Sequence, residues 1–373
     1  MHTHANAQSL TSTPYRGLVN PWADVLLLGA GSLLALLLLN LFDLGAEGVA
    51  QLAVLMMVLA NFVNHPHFAF SYQLFYGSWH QVKSGALPSD LRQRWWLAGV
   101  WVPLLLALVL FATALLWLQG KPLALGVVLS LMGLLVGWHY VKQGFGMAMM
   151  DAALKKRYWP AAVRKALLFN AYACWAGAWT VVNSIGSPQR LWAAVGIPVS
   201  VPGPVVVLAC LVAAASSTWA GLLVFRAIRQ WNAEGLSWKE WPLAGLLAYG
   251  ITLYVWIGLI SFSTAFLLVV PFFHSLQYLT VIGRYKVNET KSKRLTPRHL
   301  LQFVATGVIL GAIGFWLLPG AVDFARTGEL PHFGAPALAI ACFWIFINVH
   351  HYFIDNVLWR QGNPNVKKHL FDA

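Results

Sequence analysis

Ten runs of about 20 apolar residues recur along the chain, at 23–44, 50–76, 95–118, 123–147, 164–183, 203–225, 242–260, 263–282, 300–319 and 336–358. At 1.5 Å per residue each is long enough to cross a hydrocarbon core roughly 30 Å thick. A lipid-embedded segment must satisfy its own backbone hydrogen bonds, so each run is expected to be a helix. The seventh and eighth runs are divided only by residues 261–264. The expected fold is therefore all-α: a polytopic bundle of about ten transmembrane helices forming one integral-membrane domain over residues 1–373. A polar segment (1–22) precedes the bundle and a tail (360–373) follows it. No cleavable signal is expected, because the first run begins after residue 22 and is itself of spanning length. Composition agrees: 59% of residues are hydrophobic and only 10% are charged, against about 25% charged in soluble domains. A water-soluble enzyme and a disordered chain are both excluded.

The 25 basic and 12 acidic residues leave a net charge of +13. Position decides what that means, because the bases sit in short loops between apolar runs. One alternate set of segments carries 21 of the Lys and Arg residues, and the opposite set holds only Lys121, Arg190 and Arg326. Lys142 lies inside the fourth run. Such bias marks the cytoplasmic side, which places both termini there, as in a bacterial-type inner membrane. No nucleic-acid partner is expected. The basic loops are read as topology signals that can also attract anionic head groups or an acidic electron donor. Cys174, Cys210 and Cys342 form no CxxC pair and are read as packing residues. Trp79, Trp95, Trp96, Trp159, Trp241 and Trp359 lie near expected helix ends and are read as an interfacial belt.

The histidines carry the functional signal. His65 and His67 fall in the second expected helix, His139 in the fourth, His274 in the eighth, and His350 with His351 in the tenth. Counted from the cytoplasmic ends, four of these helices bring imidazoles to one depth, roughly 10–17 Å in. Ionisable groups inside a membrane are costly, and they normally face the bundle interior and have a role. His2, His4, His299, His332 and His369 lie in terminal or loop segments and receive none. Asp355, four residues after His351, shares its helix face. It is expected to bind the metal or to orient an imidazole that does. Asn64, Gln143, Gln277, Tyr140 and Tyr278 lie beside these positions and are expected to support the ligands or touch substrate. Pro66, between His65 and His67, is expected to kink the helix and turn both rings inward.

A nitrogen-rich set suits iron, copper or zinc and disfavours calcium or magnesium. No Glu lies in any expected span, so a carboxylate-bridged di-iron bundle is excluded. HEXXH, GxSxG and Walker motifs are absent. The enzyme reading that survives is an oxygenase with iron held mainly by histidine, one or two ions, acting on a lipid-soluble substrate. Its electrons would come from a separate donor. In plan this resembles the membrane desaturase and hydroxylase families, which gather histidines from several segments at the cytoplasmic side of a helical bundle. Their HxxxH and HxxHH boxes are not in this sequence. His350-His351-Tyr352 is similar to the His-His pair on one helix of haem–copper oxidases and nitric-oxide reductases. A haem protein with two axial histidines and a metal or proton transporter are the other readings.

Overall fold

The computed structural model describes residues 16–41, 45–187, 190–236, 238–258, 264–328, 338–360 and 362–372. His2, His4 and His332, and residues 261–263 of the expected junction, lie outside them. The described chain is helical, and its only strand pairing is one isolated bridge, Ser184 to Val201.

Seven helices among the described residues are long and apolar enough to cross a membrane, the content of an integral membrane protein. They are α1 (Pro21–Leu38), α2 (Glu47–Lys83), α3 (Ser89–Leu118), α4 (Leu123–Leu154), α6 (Gly203–Ala233), α9 (Pro297–Thr327) and α10 (Leu338–Leu358). The other three expected runs are helical too: α5 (Ala161–Val182), the shorter α7 (Leu243–Ile257) and α8 (Thr264–Ser292). Leucines and aromatics such as Leu105, Leu108 and Phe111 on α3, or Leu208, Leu211 and Phe225 on α6, point outward. Only lipid or a partner can cover so much apolar surface.

α10 is the hub. In it 44% of the apolar window is buried, against 11–28% in the other six candidate spans, and it packs against α2, α3, α4 and α9. Arg284 of α8 donates to the carbonyls of Gly17 and Leu370, so the N-terminal segment and the C-terminal tail meet at one end of the bundle. Farther from the hub, Asn170 pins α5 to α6 and α7. Its amide donates to Tyr249 and Tyr254 at 2.9 Å, and its carbonyl accepts from Ser216 and Ser217 at 2.9 Å.

Small residues set the closest approaches. Gly307 and Gly311 of α9 are four apart and face Phe70 and His65 of α2; a Cβ on Gly307 would overlap the Phe70 ring. Gly144 of α4 lies where a Cβ would come within 2.9 Å of Thr252 on α7. Glycine at such contacts lets backbones pack without a side chain between them.

Three sequence expectations change. Trp95 and Trp159 are core residues, 1% and 3% exposed, with Trp95 stacked on Phe75 at 4.1 Å. Cys210 is exposed, so it does not pack, and all three cysteines are free. α4 runs past the expected end at 147 to Leu154, so Asp151 joins Asp24, Asp323 and Asp355 as a buried acid within a helix; Lys155 neutralises it at 3.1 Å. Gly307→Val should lower the thermal midpoint by several degrees, since overpacking costs about 1–3 kcal/mol. Gly221→Val, with nothing near its Cβ position, should leave it unchanged; fluorescence-detected size exclusion after heating reads both.

Candidate metal centre

The centre begins with a break in α2. Residues 61–63 form a turn, and a new helix starts at Asn64. Pro66 lies in its first turn, where a missing N–H costs nothing. The break thus precedes Pro66 and leaves His65 and His67 on one regular helix. Residues two apart there point to opposite sides, and the expectation that both rings turn inward fails for that reason. His65 stacks on Phe315 at 4.0 Å and edges Trp316 at 5.9 Å, away from the other imidazoles. His67 faces inward. Its Nδ1 lies 2.7 Å from the Asn64 carbonyl, which can only accept, so this nitrogen carries the proton. Ser275 Oγ bridges the same Nδ1 and Asn64 Oδ1. The Nε2 lone pair is thereby aimed at α10, where it lies 3.0 Å from His351 Nε2.

α10 supplies the next two groups from one face. Asp355 Oδ2 is 3.1 Å from His351 Nε2 and 4.0 Å from His139 Nε2 of α4. The carboxylate is held from behind: Tyr278 of α8 donates to Oδ1 at 2.8 Å. Tyr278 in turn receives Trp359 Nε1 at 3.1 Å and the Ser71 hydroxyl. That relay fixes the carboxylate plane and leaves Oδ2 turned toward the imidazoles. His139 stacks on Tyr352 at 4.4 Å, and His274 closes the group with ring centroids 5.0 Å from His139 and 5.6 Å from His67.

All five side chains are buried, none more than 7% exposed. His139, His351 and Asp355 form a buried group able to hold a metal ion, their ligand atoms all within 4.8 Å of one another. The donor set fits one. His67 Nε2 is a lone pair, Asp355 Oδ2 is an acceptor, and both converge on His351 Nε2, whose single proton could bond only one of them. His139 Nε2 has no hydrogen-bond partner among the described residues. Buried polar atoms are rarely left so. One cation among the His139 and His351 nitrogens and the carboxylate oxygen would satisfy that group together, and nitrogen with carboxylate suits a transition metal.

His350, beside His351 on α10, has another role. Val102 N–H bonds the Leu97 carbonyl, which leaves the Ala98 carbonyl one residue on without that donor. Pro103 has no N–H for the Gly99 carbonyl. Tyr76 donates to Gly99 at 2.9 Å, and His350 Nε2 donates to Ala98 at 2.9 Å. With Nε2 protonated, His350 Nδ1 accepts from Tyr72 at 2.6 Å. Both nitrogens are occupied, so His350 ties α10 to α2 and α3 and is not free to bind a metal.

Among the expected supporting residues, Asn64 and Tyr278 hold His67 and Asp355 as described. Tyr140 packs its ring on His274 at 4.2 Å. Gln143 donates to Gln277 Oε1 and to the His274 carbonyl, and Gln277 donates to the Leu28 carbonyl; these glutamines brace α1, α4 and α8 around the centre. In sequence Trp359 reads as an interfacial anchor, and Tyr72, Tyr352, Ser71 and Ser275 carry no functional pattern. Only their positions one or two turns from a histidine or from Asp355 hint at more.

A cavity of about 680 Å³ reaches the centre at His139, Asp355 and Tyr278. No protein-family model, no curated protein and no solved structure matches this chain.

His67→Ala, His139→Ala, His351→Ala and Asp355→Asn should each lose most of the bound metal in elemental analysis. Tyr278→Phe should weaken binding about 10-fold, the lower end for an orienting partner. His350→Ala, His299→Ala and His332→Ala should keep wild-type metal content.

Proposed function

We propose that this chain is a membrane-embedded, metal-dependent oxidoreductase of the oxygenase, hydroxylase or desaturase type, acting on a lipid-soluble substrate. The observation that carries it is the convergence of His139, His351 and Asp355, two imidazoles and one carboxylate buried in a helical bundle. Two histidines and a carboxylate with open positions are the donor set of non-haem ferrous oxygenases, so iron is the metal proposed. When bound there, iron supplies the one-electron and O2 chemistry that side chains lack. His67 and His274 stand beside the triad as further nitrogen donors.

The chain's own groups do the rest. The Asn64 carbonyl holds the proton on His67 Nδ1 and keeps Nε2 free to bind. Tyr278 holds Asp355 Oδ1, so Oδ2 faces the imidazoles and its charge balances a bound cation. Tyr352 and Tyr140 wall the imidazoles, whose burial keeps bulk water out. The cavity that meets the centre is lined by apolar residues including Met147, Met150, Leu168 and Val281, which suits a hydrocarbon chain. Hydroxylation or desaturation with O2 consumes two electrons and two protons. In this reading they come from a separate donor docking on the basic loops.

The same reading takes all ten helices as spans in one domain, with both termini on the cytoplasmic side of a bacterial-type inner membrane. The charge bias supports it, as does the meeting of both ends at Arg284. The haem reading is disfavoured by spacing. His67 Nε2 and His351 Nε2 are 3.0 Å apart with their rings 4.6 Å between centroids, too close for a porphyrin between them. A relay through the membrane is disfavoured because the imidazoles cluster at one level.

Iron-loaded protein supplied with a chemical reductant as the two-electron donor should consume isotopically labelled O2 faster when a membrane-lipid extract is present. Mass spectrometry should find a lipid gaining one labelled oxygen or losing two hydrogens. A lipid-independent rate with no product, or a protein that takes up no iron, would contradict the proposal.

A further inference from the structure

The cavity that meets the centre mixes three kinds of lining. Asp355, the one acid among its described lining residues, stands there with His139 and Tyr278. Met147, Met150, Leu168, Val281, Leu370 and Phe371 supply apolar wall. Four bases also line it: Lys142 of α4, Arg164 and Lys165 of α5, and Arg360 just beyond α10. Lys142 is three residues past His139 on α4, about 5 Å along the helix, and Arg360 is five residues past Asp355, two beyond the end of α10.

Topology alone does not explain this grouping. A loop base that merely orients the protein can point anywhere, whereas these four come from three separated stretches of sequence and line one cavity. Lys142 falls inside an apolar run, where a lysine is costly and needs a reason. Its nearest described aromatic contact, the Phe145 ring, is 6.0 Å from Nζ. Among the described residues no ion pair joins Lys142, Arg164 or Lys165 to a carboxylate. Arg360 donates Nε to the Asn356 carbonyl at 3.1 Å. Four bases around an apolar cavity attract an anion that carries a hydrocarbon body.

We infer that the cavity binds an amphiphile with one apolar chain and an anionic head, the head held by Lys142, Arg164, Lys165 and Arg360. This rests on the oxidoreductase reading only in taking the occupant as substrate; the binding itself does not need the metal. A free carboxylate and a lipid phosphate share the required chemistry.

Equilibrium binding of radiolabelled oleate, oleoyl lysophosphatidate and oleyl alcohol to the detergent-purified full chain tests it. At low salt at least one anionic probe should bind 10-fold or more tightly than the alcohol, and salt should erode that preference. Preference for oleate alone identifies a fatty-acid head; preference for lysophosphatidate, alone or with oleate, identifies a phosphate. Lys142→Gln/Arg164→Gln/Lys165→Gln should lose the preference, with alcohol binding and metal content unchanged. The single Lys142→Gln should reduce it about 3-fold if the triple variant does not fold. Arg226→Gln/Arg229→Gln should change nothing. Equal binding of all three probes, no binding of any, or a preference that survives the lysine and arginine substitutions overturns the inference. An anion preference in protein that carries no metal counts against the oxidoreductase reading alone.

Discussion

Everything near the centre depends on one cost: polar atoms deep in a helical bundle have no water to satisfy them. The Asp355 carboxylate is the sharpest case, because an unpaired buried charge costs several kcal/mol. Tyr278, itself held by Ser71 and Trp359, answers it on one oxygen, and α10 and α4 bring imidazoles toward the other. The same cost explains the chain of backbone corrections around it. Pro103 and the widened turn before it free two carbonyls, and Tyr76 and His350 occupy them. The break before Asn64 lets His67 bond a carbonyl of its own first turn.

The architecture serves that centre. α10 carries His351, Asp355 and His350 at the middle of the bundle, and glycine contacts bring α9 against α2 and α7 against α4. Polar groups with no part in the centre, such as Asn170 and Asp151, are satisfied in closed local networks. Within the centre three imidazole nitrogens, His139 Nε2, His274 Nδ1 and His351 Nδ1, have no hydrogen-bond partner among the described residues.

Much of this is legible in the sequence, since hydropathy needs no tertiary information. The apolar runs correspond to helices because a segment in lipid has only one way to bond itself. The i,i+4 spacing of His351 and Asp355 by itself puts both on one helix face. What pattern cannot give is direction. His65 and His67, or His350 and His351, are equivalent by type and depth, and only packing against Phe315, or the freed Ala98 carbonyl, separates the imidazole that faces the centre from the one that does not. Trp95 and Trp359 look like interfacial anchors for the same reason: helix-end aromatics read alike whether they face lipid or the centre.

The most direct test of the central claim is X-ray absorption on protein reconstituted with ferrous iron, together with its metal-to-protein ratio. Near-stoichiometric iron is expected, with nitrogen and oxygen ligands only and outer-shell scattering from at least two imidazoles. Loss of the bound iron in Asp355→Asn should follow. Iron in a porphyrin, iron with sulfur ligands, or no bound iron under any loading condition would contradict it.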